Sequence, residues 1–164
     1  MAITSYCTPE WLEASQAVFR SDPGFQRALE KLSLTICFRV RAEPVWGIQR
    51  DILFGAVVER GVLLKMDFYK EEDARREADF IMAASPQEWK RILRKETKFL
   101  TDFMLGKIAL EKGSKVAAVS LAPHAPVLVD ALTRVELRFP DEMSPEELAD
   151  YANYQQEFRA RLGV

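Results

Sequence analysis

Apolar and polar residues alternate along three stretches in the first half of the chain. Residues 32–41 alternate between an apolar set and a set of Ser, Thr, Cys and Arg, which predicts a strand with one dry face. Two further alternations cover residues 45–59 and 62–69. Glu59-Arg60-Gly61 between them predicts a tight turn in which the glycine adopts positive φ. Together these stretches predict an antiparallel meander.

Helical spacing of apolar residues replaces the alternation elsewhere, and start signals mark several helices. Thr8-Pro9 is predicted to open the first helix, because threonine caps free N–H groups and proline loses no hydrogen bond at the first helical position. A second short helix is predicted over residues 25–31. Ser85-Pro86-Gln87-Glu88 and Ser144-Pro145-Glu146-Glu147 each combine a capping box with proline, so each predicts a further helix.

Strands and helices continue to alternate after residue 78. Residues 79–84 and 107–111 are predicted as the fourth and fifth strands, with a short helix over residues 99–104 between them. An apolar helix over residues 116–122 is interrupted by Pro123, which removes a hydrogen bond and clashes with the preceding turn. A further helix is predicted after that proline.

Several charged or polar segments are interpreted as solvated. Lys70 to Glu77 mixes both signs, which is typical of a solvated connection rather than of a phosphate or nucleic-acid patch. Phe139 to Glu142 is interpreted as a linker. Four cations on the helix after Ser85 are interpreted as a solvated face, with contact to lipid headgroups as the alternative: Lys90, Arg91, Arg94 and Lys95.

These elements predict an α+β fold in a single domain over residues 1–164. A five-stranded sheet needs a layer of helices over one face, and a chain of this length buries about 70% of its unfolded surface. The core is expected over about 32–135, preceded by helices in 8–31. The helix in the extension 139–164 carries an apolar stripe, which is predicted to dock on this chain or on a partner chain.

Charge and cysteine content limit the partners and the compartment. The chain has 23 basic and 25 acidic residues, a net charge of -2, so there is no overall attraction to nucleic acid or anionic lipid. Cys7 and Cys37 lie far apart, and the alternating context of Cys37 favours a buried free thiol. The run 116–129 is shorter than a membrane span and the start lacks a secretion signal. We expect a cytoplasmic protein.

The sequence offers little for catalysis. His124 is the single histidine and lies between two prolines, where a role in a loop or helix cap is expected rather than that of a general base. Metal-binding, nucleotide-binding and redox motifs are absent from the sequence. We therefore expect no enzyme, no metal and no cofactor. The alternative is an enzyme acting on a lipid or acyl thioester through His124.

Large adaptable apolar residues concentrate after the meander. Their spacing favours a packed core, because a five-stranded sheet needs a layer of helices over one face, although spacing alone does not separate a filled core from a lined cavity. They are Phe80, Met82, Trp89, Phe99, Phe103 and Met104.

Three motifs in the same region resemble the sterol carrier protein 2 (non-specific lipid transfer) family. They are Ala78 to Met82, then Trp89-Lys90-Arg91-Ile92-Leu93, and then Phe103 to Gly113, before an apolar helix. The family pattern is an A-D strand, a helix with a central aromatic residue and a G-K-L-x-[IL]-x-G segment. The resemblance covers about Leu32 to Val135, with the same order of elements.

The chain departs from that pattern in three places. Lys95-Glu96-Thr97 stands where the family commonly has a glycine between two helices. Glu111-Lys112-Gly113-Ser114 replaces a glycine followed by Asp or Asn. The tail from Phe139 onward has no counterpart in the pattern, so a docked tail helix is a candidate to cover or fill the entrance of a cavity.

The resemblance implies an apolar tunnel between the sheet and the helices that binds or transports a fatty acid, acyl chain or sterol-like lipid. From the net charge we expect at most transient contact with a membrane surface and no nucleic acid. The alternative is an accessory or dimerising domain with a closed core, which pairs through its C-terminal helix. The implied tunnel lining is Phe80, Met82, Trp89, Leu93, Phe99, Phe103, Met104, Val119 and Leu128.

Overall fold

The computed structural model describes residues 3–164, so residues 1 and 2 of the expected domain lie outside the described part. The strands within it are β1 Ile3–Ser5, β2 Ser33–Val40, β3 Ile52–Glu59, β4 Val62–Phe68, β5 Phe80–Ala84, β6 Ala109–Lys112 and β7 Glu136–Arg138. The α-helices are α1 Pro9–Ser21, α2 Pro23–Ala28, α3 Glu71–Glu77, α4 Pro86–Leu93, α5 Phe99–Met104, α6 Lys115–Ser120, α7 Ala125–Thr133 and α8 Pro145–Leu162.

Five strands form the central sheet, in the order β4-β3-β2-β5-β6. β2 and β5 run parallel at its centre, and the other neighbours are antiparallel. This mixed sheet, with helices packed on it, confirms the predicted α+β fold class. The remaining strands, β1 and β7, form a separate parallel pair in which Ile3 lies opposite Glu136.

The helix starts follow the local chemistry of the sequence. Thr8 Oγ1 accepts a hydrogen bond from the backbone N–H of Trp11, and Ser85 Oγ accepts one from Glu88. A complete capping box is present at α8, where Ser144 and Glu147 bond each other's backbone N–H groups. At α4, the Glu88 carboxylate pairs with Arg91 instead.

The second alternating stretch is shorter than the pattern predicts. β3 begins at Ile52, whereas Pro44–Trp46 form one turn of 3-10 helix. Gly47 follows with φ of 75°, and a Cβ there would lie 3.0 Å from the Cβ of Ala152 in α8. The chain therefore turns at Gly47 to admit the C-terminal helix, a constraint that an alternation of side chains does not contain.

The charged run at 70–77 is a helix rather than a simple connection. Most of α3 is exposed, as predicted, but Ala74 is buried against the face of the sheet that carries Cys37, Leu53 and Ile81. Both faces of the sheet are thus covered in part. Both cysteines are buried and free, as the sequence predicts for Cys37.

Arg39 is the charged residue beneath α3. Its side chain lies on that same second face, and the residue is only 7% exposed. The guanidinium pairs with Glu71 at 2.7 Å, Glu111 at 2.8 Å and Asp51 at 3.5 Å. A buried cation needs such partners, because desolvating an unpaired charge is expensive.

The segment at 139–142 belongs to the core and is not the expected linker. Phe139 is fully buried, and its ring centroid lies 4.9 Å from that of Tyr6 and 6.5 Å from that of Trp46. α8 then packs on its own chain, burying Tyr151 and Phe158. The apolar stripe of the tail therefore finds its docking surface within the same molecule.

One stretch of residues 3–164, Lys115–Thr133, is long and apolar enough to cross a membrane by length and composition, with a mean hydropathy of 1.4. The sequence analysis predicted no such stretch because it counted only the charge-free run 116–129. The longer stretch includes the charged residues Lys115 and Asp130. In the fold the stretch is divided among α6, a 3-10 turn at Ala122–His124 and α7.

Candidate functional site

An apolar cavity of about 90 Å³ lies between the sheet and the helices. Twenty residues line it, drawn from the segment before α1, from β2, β3 and β5, and from the helices that cover this face. Its wall is apolar almost throughout. A void of this size takes several water-sized groups at roughly 10–15 Å³ each, and cavities lined by apolar groups stay dry.

The sheet supplies one wall through the alternation in β2. Leu34, Ile36 and Phe38 point into the cavity from successive inward positions of that strand. Phe38 lies opposite Phe54 of β3 and Met82 of β5, and the Phe38 and Phe54 rings are 5.4 Å apart. Three neighbouring strands therefore place one layer of large side chains side by side.

α4 supplies part of the opposite wall. Trp89, Ile92 and Leu93 face the cavity, and the Trp89 ring stands nearly perpendicular to that of Phe38, with centroids 5.6 Å apart. The indole Nε1 donates a hydrogen bond to the backbone carbonyl of Arg39 at 3.0 Å. Because its polar atom is satisfied, Trp89 contributes only apolar surface to the cavity.

The two ends of the cavity differ in exposure. Tyr6 and Trp11 line the inner end and are fully buried, and Trp11 Nε1 donates to the carbonyl of Leu132 at 2.9 Å. Leu34, Phe99 and Leu128 also line it and are partly exposed. The wall is therefore closed at Tyr6 and Trp11, here called the inner end, and partly exposed at these three residues, here called the mouth.

The structure places the nine residues implied by the resemblance in different environments. Five line the cavity: Met82, Trp89, Leu93, Phe99 and Leu128. Phe80 is buried against the turn at Gly113, and Phe103 is buried with its ring 5.7 Å from that of Phe99. Met104 is 60% exposed and Val119 is 36% exposed. Whether the nine contact a ligand stays a prediction.

Sequence reasoning missed the inner end. Tyr6 and Trp11 precede the region of resemblance, and the only available signal was that Trp11 occupies an apolar position of the first helix. None of residues 139–164 lines the cavity. The tail packs behind the inner end and leaves the mouth uncovered.

Polar groups at the cavity are few. Burial raises the pKa of Tyr6 well above its ordinary value, and the adjacent Cys7 adds to the effect. Burial also raises the pKa of the Cys7 thiol, so it is not a thiolate at neutral pH. His124 is at the half-exposed mouth. Among residues 3–164, no three His, Cys, Asp or Glu side chains form a group that could hold a metal ion.

The four cations of α4 and the turn after it are all engaged in ion pairs. Lys90 bonds Asp141 at 2.8 Å, and Arg91 bonds Glu88 at 3.2 Å. The other two reach further along the chain, Arg94 to Glu142 at 3.0 Å and Lys95 to Asp130 at 2.8 Å. This surface carries no block of unpaired positive charge, which supports the interpretation of a solvated face.

Solved structures that are similar to this chain include the following two. A crystal structure of sterol carrier protein 2 has a TM-score of 0.66 and 24% identity, covering 78% of this chain and 97% of its own. A solution structure of a conserved hypothetical protein from Thermus thermophilus, described as a candidate sterol carrier protein, has a TM-score of 0.68 and 24% identity, covering 80% and 90%. No family model and no curated protein matches the sequence. The likeness confirms the sterol carrier protein 2 fold.

Proposed function

We propose that this chain, which has the sterol carrier protein 2 fold, binds an apolar ligand such as a fatty acid, another acyl chain or a sterol-like lipid, and carries it. The observation that supports the proposal is the apolar cavity of about 90 Å³ between the sheet and the helices. Protein interiors are close-packed, with few voids larger than a water molecule. A cavity of this size with an apolar wall is therefore typical of a ligand-binding site.

Burial of apolar surface supplies the binding energy. Micromolar affinity corresponds to about 8 kcal/mol, or on the order of 330 Å² of buried apolar surface before the entropic terms of association. A long ligand needs more room than the cavity of about 90 Å³ offers, so binding such a ligand requires the partly exposed side chains of α5 and α7 at the mouth to shift. Few polar anchors imply broad specificity.

Several features concern the compartment and the partners of the protein. Two buried free thiols support a reducing compartment such as the cytoplasm. The paired cations of α4 support at most transient contact with a membrane surface. The dimerising alternative draws no support from α8, because α8 buries its apolar stripe in its own chain.

Lipid extraction and native mass spectrometry of the purified protein test the proposal. We expect a co-purifying lipid, or uptake of a fluorescent fatty acid by protein stripped of lipid. Leu128→Trp, which fills the mouth, is expected to lower uptake at least tenfold. Val116→Trp is the matched control, because Val116 is 83% exposed and outside the cavity wall. Wild-type protein that is free of lipid and takes up no fatty acid would overturn the proposal.

A further inference from the structure

We infer that Tyr6 is the end wall that determines ligand length, and that the extension 139–164 holds Tyr6 in place. The inference rests on the proposed function, since it concerns how far an apolar chain enters the same cavity. The extension would then be a positioning element for specificity, without touching the ligand itself.

The position at which the cavity ends is visible along β2. Leu34 and Phe38 both line the cavity, and they are four residues apart on the strand. At about 3.3 Å per residue, the cavity extends roughly 13 Å between them along β2. The next inward residue, Val40, and its partner Ile52 are buried and lie outside the wall. The cavity therefore stops between Phe38 and Val40, at the end of the sheet where Tyr6 lies.

Tyr6 packs between two other aromatic rings at that end. The Tyr6 ring is 5.2 Å from that of Trp11, which also lines the cavity, and 4.9 Å from that of Phe139, which does not. Lys90 and Arg94 lie over the Phe139 ring. The first residue of the extension thus packs directly against the end wall, because its ring contacts that of Tyr6 and lies outside the cavity.

α8 fixes the backbone of the same segment. Tyr151 Oη donates a hydrogen bond to the carbonyl of Tyr6, and Gln155 Nε2 donates to the carbonyl of Cys7 at 2.8 Å. Cys7 has φ of 55°, a left-handed conformation that a residue other than glycine keeps only when its surroundings enforce it. The two buried hydrogen bonds from α8 hold the backbone of this segment in that conformation.

The opposite end sets the orientation of the ligand. Leu34, Phe99 and Leu128 at the mouth are partly exposed, whereas Tyr6 and Trp11 at the inner end are fully buried. A carboxylate is far more expensive to bury than a methyl group, so the polar end stays at the mouth and the apolar terminus meets Tyr6.

The first experiment uses wild-type protein and two bromine-labelled forms of one long-chain fatty acid. Bromine quenches nearby tryptophan fluorescence, and Trp11 and Trp89 both line the cavity. We expect bromine on the terminal carbon to quench more than bromine next to the carboxylate. Equal quenching, or stronger quenching by the carboxylate-end label, would overturn the inference.

The second experiment measures Kd for saturated fatty acids from octanoic to stearic acid. Tyr6→Leu shortens the end wall, and each further CH2 group that finds room improves Kd about fourfold, from about 0.8 kcal/mol per CH2. The optimum is expected to move to longer chains. Tyr6→Phe is the matched control: it keeps the ring and removes only a hydroxyl that has no hydrogen-bond partner. Its optimum is expected to equal that of wild type.

A third variant, Tyr151→Phe, keeps its own ring and loses the bond to Tyr6. Its expected effect is a broader chain-length profile, with longer chains improved relative to wild type. A merely structural role would lower stability and leave the profile unchanged. Should Tyr6→Leu not fold, this variant and the bromine labels decide the question.

The outcomes separate the two proposals. If wild type binds no member of the series, the proposed function fails. If wild type binds and the optimum is the same in folded Tyr6→Leu, Tyr6→Phe and wild type, only the role of Tyr6 fails. Thermal melts of each variant establish that it is folded.

Discussion

Trp89 is bonded through its indole Nε1 to the backbone carbonyl of Arg39, at 3.0 Å. Its ring faces the cavity, whereas the Arg39 side chain points to the other face of the sheet and pairs with Glu71 and Glu111. One residue of the central strand is therefore tied to α4 on one face and to α3 on the other. The wall of the cavity is therefore attached to a residue of the sheet that has partners on both faces.

Trp89→Phe tests this attachment. The variant leaves the Arg39 carbonyl without its donor, and an unsatisfied buried carbonyl costs about 1–3 kcal/mol. Urea unfolding is expected to show a loss of that size. Trp46→Phe is the control, because within residues 3–164 the Trp46 indole N–H makes no hydrogen bond. A loss no larger than the control's would contradict the role of the bond.

Arg159→Met tests the docking of α8. Arg159 is 6% exposed and donates to the backbone carbonyls of Arg50 and Asp51. Removing the guanidinium leaves two acceptors without a donor, and the free energy of unfolding is expected to fall by about 1–3 kcal/mol. Arg161→Met, two residues further along the same helix and exposed, is expected to stay within about 0.5 kcal/mol of wild type. Chemical denaturation of both variants measures the difference, and equal effects would refute the prediction.

The start of α8 makes stability depend on pH. Hydrogen bonds from Arg138 and then from the Ser144 N–H lower the pKa of Glu147 to about 2. A group with a lowered folded pKa stabilises the fold above its unfolded value of about 4.3, and this contribution disappears as the pH falls toward about 2. Thermal melts between these pH values are expected to show a shallower decline for Glu147→Gln than for wild type. Glu146→Gln, one residue earlier and exposed, is expected to follow wild type, and a shallower decline there too would argue against a specific role of Glu147.

Two methionines that the resemblance implies as tunnel lining are expected to behave differently. Met82→Ala removes a fully buried side chain from the cavity wall and is expected to cost about 2–5 kcal/mol. Met104→Ala changes a residue that is 60% exposed and is expected to stay within about 0.5 kcal/mol of wild type. Calorimetry of the two variants gives the comparison, and a large effect at Met104 would show that its side chain is buried in solution.

Local chemistry made much of the fold predictable. Thr8, Ser85 and Ser144 start helices because a short polar side chain and the following proline satisfy the first turn without help from the rest of the protein. The alternation in β2 likewise identified the face that Ile36 and Phe38 present to the helices, because side chains in a strand point to opposite sides in turn.

Features that depend on distant contacts were not predictable in the same way. Phe139 is a core residue because the ring of Tyr6 is there to receive it, and nothing within the segment 139–142 contains that information. Met104 follows helical spacing as well as Phe103 does, yet only Phe103 is buried. Periodicity gives the direction of a side chain, whereas the presence of a covering element depends on the whole fold.

The parallel pairing of β1 with β7 affects the order in which the molecule assembles. Ile3 and Glu136 come together only after the intervening chain has closed a loop of more than one hundred residues. Contacts between residues this far apart in sequence are expected to form late. The chain loses the conformational entropy of closing the loop before these contacts stabilise the fold. We therefore expect the sheet and α4 to form before the end wall during folding, so that the nascent cavity is open at the Tyr6 end until β1 pairs with β7.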